Sequence, residues 1–390
     1  MIDRRFLCGL IVGGIAVAAS WFLIDQLFSR TDDQSSDVSA RNSPNKPEQT
    51  SITNAAPLNR RWVQEAKALT MPGNREYTMP LNNPDTVPAF AADHMNDGDL
   101  VVGINVFGFT RAYPWWIMSN FHVVNDTLYD GENTKIPLLV ALCEQCSGSA
   151  AFIPTILELQ DRPLTFQICG IHNGTFEIAD FQTHSRWHPF SGESIEGPLK
   201  GKQLIQIGSV IENWGSWKKR HPETDVVLGS IGMRNRPHGL SHGASMGHKH
   251  MHPVFWASAN QNDRRLSANT LIFGLLGNGV SGPMAIEFEE IQSNLFLQFK
   301  HGNTPAVLLQ VGEYGVRAFS SKVEEKELEF ELESKDPLSL KDNQGRVWDE
   351  SGKCITPPDS TLQLKLLKGY LTEWYEWVSA QPDSAILGKP

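Results

Sequence analysis

The residues of this chain best placed to do chemistry are two cysteines three positions apart, Cys143-Glu144-Gln145-Cys146. Thiols at this spacing converge on one soft metal ion, or open and close one redox disulfide. The plainer alternatives are a structural disulfide or a pair of small buried thiols. The chain has no second Cys-x-x-Cys, which excludes a four-thiolate zinc site within one molecule. Ser147 stands where a c-type haem attachment motif needs histidine. Partners for the pair must come from elsewhere, and Cys169-Gly170-Ile171-His172 is the best source. It reads as a strand end running into an Asn173-Gly174 turn. Cys143, Cys146 and His172 would make a three-ligand set with one open position. Cys169 would be a resolving thiol or a core residue.

A second group lies in His238-Gly-Leu-Ser-His242-Gly-Ala-Ser-Met246-Gly-His248-Lys-His250-Met251-His252. Imidazole suits zinc, copper and nickel, and thioether suits copper(I), so His238, His242, His248, His250, His252, Met246 and Met251 are an accessory copper or zinc site. A solvated His/Gly-rich linker is the equal alternative. The same stretch contains Gly243-Ala244-Ser245-Met246-Gly247, but no apolar strand precedes it and no helix pattern follows. A serine hydrolase is therefore discounted. Asp180, Glu193 and Glu196 could form a carboxylate pair, yet nothing in their local sequence makes them converge. There is no phosphate-cradling glycine loop and no dinucleotide fingerprint, so no nucleotide cofactor is expected.

These residues sit in a chain of 390 with 40% apolar content, 11 Trp and a formal charge of −10. The length allows two cores. The acidic balance argues against a nucleic-acid partner, which would need a concentrated basic patch. Lys218-Lys219-Arg220-His221 reads as a helix C-terminus with its cations near the dipole. Residues 1–30 are expected to be an N-terminal membrane anchor or signal segment. Arg4 and Arg5 precede an uncharged run from Phe6 to Ile24, just long enough to span a bilayer. A cleaved signal peptide is the rival, and would leave a secreted protein. Either way the bulk of the chain is expected outside the cytoplasm, anchored to the inner membrane and periplasmic in the favoured reading. Residues 31–58, rich in Ser, Asp, Asn, Gln and Pro, read as a disordered polar tether.

Beyond the tether, strand signals dominate. Leu100 to Val106 is rich in β-branched residues, and Ile136 to Leu142 is a continuous apolar run. Leu328, Phe330 and Leu332 alternate with glutamates, which predicts a strand with one solvated acidic face. Ile211 to Arg220 is expected to be a helix, carrying Trp214 and Trp217 and stopping before Pro222. Trp374, Trp377 and Pro382 repeat that pattern. Ser185-Arg-Trp-His-Pro-Phe-Ser-Gly192 resembles Gly345-Arg-Val-Trp-Asp-Glu-Ser-Gly352, and 140–152 aligns without a gap to 307–319. That alignment sets Gln310 against Cys143 and Glu313 against Cys146. The expected architecture is mainly β, with α+β as the variant. It has two tandem, diverged β-rich units: 59–236 with the cysteine pair, a His/Gly-rich connecting loop at 237–262, and a degenerate second unit at 263–390. Shared Trp, Phe and Gly positions would serve the scaffold, and the cysteines belong to the first copy alone.

The first unit resembles a bacterial family known as domain of unknown function 3179. The resemblance rests on Arg111-Ala112-Tyr113-Pro114, Val124-Asn125-Asp126-Thr127, Cys143-x-x-Cys146 with Gly148, and then Gly170, Asn173, Asp180, Trp187 and Gly192. It continues through Gly197-Pro198-Leu199-Lys200-Gly201, and Asp263-Arg264-Arg265-Leu266 with the second Trp unit is also similar. Family members typically carry Cys-Pro-Leu-Cys, where this chain has Glu-Gln between the thiols. The resemblance implies no activity.

The functional expectation is an extracytoplasmic, membrane-tethered protein that binds metal or exchanges thiols through Cys143 and Cys146, with an unknown small molecule or envelope protein as partner. One alternative is a non-enzymatic envelope scaffold with a structural 143–146 disulfide. The other is a metal-dependent hydrolase using a metal-bound water.

Overall fold

A computed structural model describes residues 79–129, 135–156, 159, 162–229, 253–358 and 360–389. The N-terminal segment at 1–30, the tether at 31–58 and the run from His238 to His252 lie outside the described residues. Among the described residues, no helix is long and apolar enough to cross a membrane.

The chain builds one supersecondary unit twice. In the first copy, strands Leu100–Val106 and Phe109–Pro114 form an antiparallel pair that runs directly into helix Trp115–Phe121. Strands Val123–Tyr129, Lys135–Cys143 and Gly148–Ile153 then form a meander. A hairpin of Phe166–His172 and Thr175–Asp180 follows. The copy closes with strand Ser209–Asn213 returning to Leu100–Val106, helix Trp214–Arg220, and strand Asp225–Val227 parallel to Phe109–Pro114. The second copy repeats the order: Leu271–Leu275, Met284–Glu287, helix Phe288–Asn294, the meander Phe296–His301, Thr304–Val311 and Gly315–Ser320, and the hairpin Phe330–Lys335 with Leu338–Asp342. Gly369–Glu373, helix Trp374–Ala380 and Ala385–Ile386 close it with the same pairings.

Side chains show why both copies fold alike. Trp187 donates its indole N–H to Asp180 at 2.9 Å, and Trp348 donates to Asp342 at 2.9 Å. Trp217 reaches Thr224 Oγ1 at 3.0 Å, as Trp377 reaches Ser384 Oγ at 2.8 Å. Each closing helix lays its second Trp on a glycine of the facing strand. A Cβ at Gly103 would sit 2.4 Å from the Trp217 ring, and one at Gly274 2.2 Å from Trp377. Buried indoles thus combine large apolar area with a satisfied N–H.

The copies are joined through a sheet. Gly148–Ile153 of the first pairs with Gly369–Glu373 of the second at Ser149 and Leu371, within a nine-stranded sheet. Alternate residues of that sheet enter two separate cores. Leu138, Val140 and Phe273 pack into one, while Leu139, Ala141, Cys143 and Ile272 pack into the other.

The structure differs from the sequence expectation in three places. Ile211 and Glu212 belong to a strand, not to the helix, because they pair with Val102 and Val101; the helix begins at Trp214. Pro253–Ser258, inside the expected connecting loop, is a short helix. The gapless match of 140–152 to 307–319 slips by one residue. Cys143 pairs with Gly148 across its hairpin, and Val311 pairs with Gly315 across the other. Cys143 therefore corresponds to Val311. Four residues (144–147) link the strands of the first hairpin and three (312–314) those of the second. The extra residue lies in the cysteine turn. The alternation expected around Phe330 holds, with Glu329, Glu331 and Glu333 exposed.

Candidate dithiol site

Cys143 ends the strand Lys135–Cys143, and Cys146 sits in the turn that follows. Both are free thiols, 1% and 0% exposed. Cys143 lies close enough to act on the Cys146 thiol, and Cys146 Sγ lies 3.7 Å from Thr175 Oγ1. The second copy holds the turn in place. The Cys146 carbonyl accepts the Glu373 N–H at 2.9 Å and the Thr372 hydroxyl at 3.1 Å. Tyr375 OH donates to the Gln145 carbonyl at 3.1 Å. Ser147, at φ 57, donates to Glu373 Oε1 at 3.3 Å. Glu144 and Gln145, between the two cysteines, are half-buried.

Beside the thiols lies an acid–base dyad that the sequence reading did not single out. Glu376 is 0% exposed, and its Oε1 lies 3.1 Å from His188 Nε2. The backbone N–H groups of Phe190 and Ser191 donate to His188 Nδ1 at 3.3 and 3.1 Å. Nδ1 is therefore the acceptor, and Nε2 carries the proton that points at Glu376. Tyr370 OH adds a longer bond to the same oxygen, at 3.4 Å. Glu376 Oε2 is buried with no hydrogen-bond partner. Burial pushes the Cys146 thiol well above its ordinary range, and the neighbouring Cys143 and the Glu376 charge push it further. Burial likewise keeps the Tyr370 and Tyr375 phenols protonated. Aromatic rings wall the site: Phe190 and Tyr370 stand 5.4 Å apart, and Tyr370 and Trp377 5.2 Å.

The remaining expected residues do not join this group. His172 ends its strand with an exposed side chain. The Asn173-Gly174 turn forms as expected, with φ of 50 and 80. Cys169 sits at a bulge in the same strand, among Glu177, Arg186 and Glu196. Burial raises its thiol strongly, and Glu177 adds to the effect. Arg186 holds Glu196 at 2.8 Å and Glu177 at 3.4 Å, so Cys169 borders an ion-pair cluster. Cys354, buried in the second copy, donates to the Thr356 carbonyl at 3.1 Å. Among the described residues, no group of three or more His, Cys, Asp and Glu is arranged to hold a metal ion. His238, His242, Met246, His248, His250, Met251 and His252 lie outside the described residues.

His188 and Glu376 left one trace in the sequence. Each occupies a repeat position that carries a different type in the other copy: Glu376 lies between Trp374 and Trp377, where the first copy has Trp214-Gly-Ser-Trp217. No curated protein and no solved structure matches the chain. A family model described as protein of unknown function (DUF3179) matches residues 80–388. With nearly the whole described structure inside that match, the chain belongs to the DUF3179 family.

Proposed function

We propose that Cys143 and Cys146 form a reversible dithiol–disulfide couple in an extracytoplasmic, membrane-tethered protein, with Glu376 as the internal proton acceptor. The observation that carries this reading is the unpartnered Oε2 of a fully buried glutamate beside a buried thiol whose ionisation burial opposes. A core thiol cannot give its proton to water, so exchange needs a base already inside. Cys143 gives up its proton as its sulfur attacks one sulfur of a partner disulfide, and the other partner sulfur leaves with that proton as a thiol, so a mixed disulfide remains. Cys146 then passes its proton to Glu376 and displaces the second partner sulfur, to which Glu376 returns the proton. One S–S bond forms in this chain and one breaks in the partner, whose two sulfurs gain the two electrons and two protons. The partner enters over Glu144 and Gln145, the half-buried part of the turn. The extracytoplasmic setting rests on Arg4, Arg5 and the apolar run from Phe6 to Ile24.

Stopped-flow reaction of the reduced protein with a small aromatic disulfide tests the reading. Glu376→Gln should slow disulfide formation about a hundredfold or more, the usual size of a lost general base, while leaving the final thiol count unchanged. An unchanged rate would remove Glu376 from the mechanism. A second reading is capture of a copper(I) ion by the same sulfurs, favoured because both are unbonded and adjacent in apolar surroundings. About one copper per chain after aerobic purification, absent in Cys143→Ser, would select it.

A further inference from the structure

The sheet that joins the two copies has an unfinished counterpart. Gly148–Ile153 pairs with Gly369–Glu373 at Ser149 and Leu371. The equivalent strands, Gly315–Ser320 and Ser209–Asn213, share no ladder pairing, and only the Tyr314 N–H reaches the Ile211 carbonyl, at 3.0 Å. Where the sheet stays open there is a cavity of about 40 Å³, bordered by Ser149, Gly208, Tyr314, Arg317 and Tyr370. One change at an equivalent position accompanies the opening. Ala150 pairs with Ala141 in the first copy, and Arg317 pairs with Leu309 in the second.

Arg317 is 6% exposed and makes no ion pair within 4 Å among the described residues. Its Nη1 donates to the Glu350 carbonyl at 3.2 Å, and its Nε has no partner. A Cβ built on Gly208 would lie 3.5 Å from that Nε, 3.8 Å from Cζ and 3.9 Å from Nη2, so Gly208 packs over the guanidinium face beside the free Nε. Ser149 Oγ, which borders the same space, is buried and also without a partner. A buried guanidinium edge and a buried hydroxyl, both unused, converge on one small cavity. The nearby carboxylates do not fill this role. Glu212 and Glu350 are held by Arg220, and Asp349 acts on Arg317 only through its field.

We infer that this cavity is a binding site for a carboxylate group, held on the Nε–Nη2 edge of Arg317 with Ser149 as a further donor. The planar fork of that edge matches two carboxylate oxygens. The space holds about three water-sized atoms by the usual allowance per water, which fits one carboxylate head with the rest of a small organic acid pointing outward. Desolvation lowers Arg317 to about 10, so it stays cationic at neutral pH and favours an anion beside it. This inference does not depend on the dithiol chemistry.

The test is thermal unfolding of the full-length protein at fixed pH and ionic strength, with sodium formate replacing sodium chloride. The site predicts a saturable rise in Tm with formate. Gly208→Ala, which puts a methyl into the cavity against the guanidinium without a clash, should raise the half-saturating concentration about tenfold or more, the worth of a charge-assisted hydrogen bond. Arg317→Gln should do the same, and Gly208→Ala decides the matter if the buried arginine cannot be replaced. A protein with both Cys143→Ser and Cys146→Ser should keep the response. Equal melting in formate and chloride, or a response unchanged in Gly208→Ala, would mean that the cavity holds only water and would overturn the inference.

Discussion

The two hairpin turns, 143–148 and 311–315, occupy equivalent positions in the two copies and carry opposite chemistry. Each is pinned to the closing strand of the other copy, the first also to Tyr375 of the closing helix. At the first, the surroundings are thiols, aromatic rings and the His188–Glu376 dyad. At the second they are charges: Arg220 holds both Glu212 and Glu350, with Arg317 alongside. Scaffold residues barely change between the turns, whereas the residues facing them change completely. Trp214 and Trp374, Trp217 and Trp377, Gly103 and Gly274 recur; Ala150 becomes Arg317 and Thr372 stands where the first copy has Glu212. A duplicated frame thus fixes geometry twice and leaves the facing side chains free to diverge. Recurring residues are evidence about folding, and the differing ones are evidence about function.

That contrast is open to breakage. The largest effect is expected at the charged turn. Arg220→Leu strips the cation from the fully buried Glu212, and breaking such a pair costs about 3 kcal/mol or more. Chemical denaturation should show it, and a loss under about 1 kcal/mol would mean that Arg317 compensates. Next come the shared glycines. Gly103→Ala and Gly274→Ala each drive a methyl into an indole, at a cost of about 1–3 kcal/mol. The two losses should be equal within error, and a marked inequality would show that the copies do not share a frame energetically.

Smaller and pH-dependent is the effect of His221, which packs on Trp217 with ring centroids 4.2 Å apart. Burial, then the Arg220 charge, lowers it to about 4, below its unfolded value of 6.5. The folded protein therefore holds it neutral. Its contribution is present above about pH 6.5 and is lost as pH falls toward 4, by about 1–2 kcal/mol after allowing for partial solvent screening. His221→Gln should flatten that part of the stability–pH curve, and an unflattened curve would assign the acid sensitivity elsewhere. The smallest expected change in stability is Glu376→Gln, within about 1 kcal/mol, because the amide oxygen still accepts from His188. Equilibrium unfolding that showed a loss of several kcal/mol would recast Glu376 as structural.

The sequence disclosed the frame better than the site. Alternating and continuous apolar runs, paired Trp residues and the Asn173-Gly174 turn all announced elements that formed, because each rests on local periodicity or local backbone preference. Ile211 and Glu212 were misread because their pairing with Val101 and Val102 is long-range, and tertiary pairing overrides a helix-like spacing. The one-residue difference between the hairpin turns was hidden because a gapless match cannot show an inserted residue. Cys143 and Cys146 were visible by spacing. His188 and Glu376 were not, since they lie 188 positions apart and meet only after the second copy docks on the first turn. His172 looked like a ligand because it is near Cys169 in sequence, yet its side chain is exposed at the strand end, where the chain enters the Asn173-Gly174 turn. Arg317 gave no signal at all; only its lack of a carboxylate partner inside the fold marks it.

The central claim is that Cys143 and Cys146 cycle between dithiol and disulfide. The most direct measurement equilibrates the full-length protein across a series of thiol–disulfide buffers, quenches with an alkylating label, and maps the label by peptide mass. One two-electron transition is expected, in which Cys143 and Cys146 lose label together, with Cys169 and Cys354 still labelled after unfolding at every potential. Persistence of both labels on Cys143 and Cys146 throughout, or a disulfide joining either of them to Cys169, would contradict it.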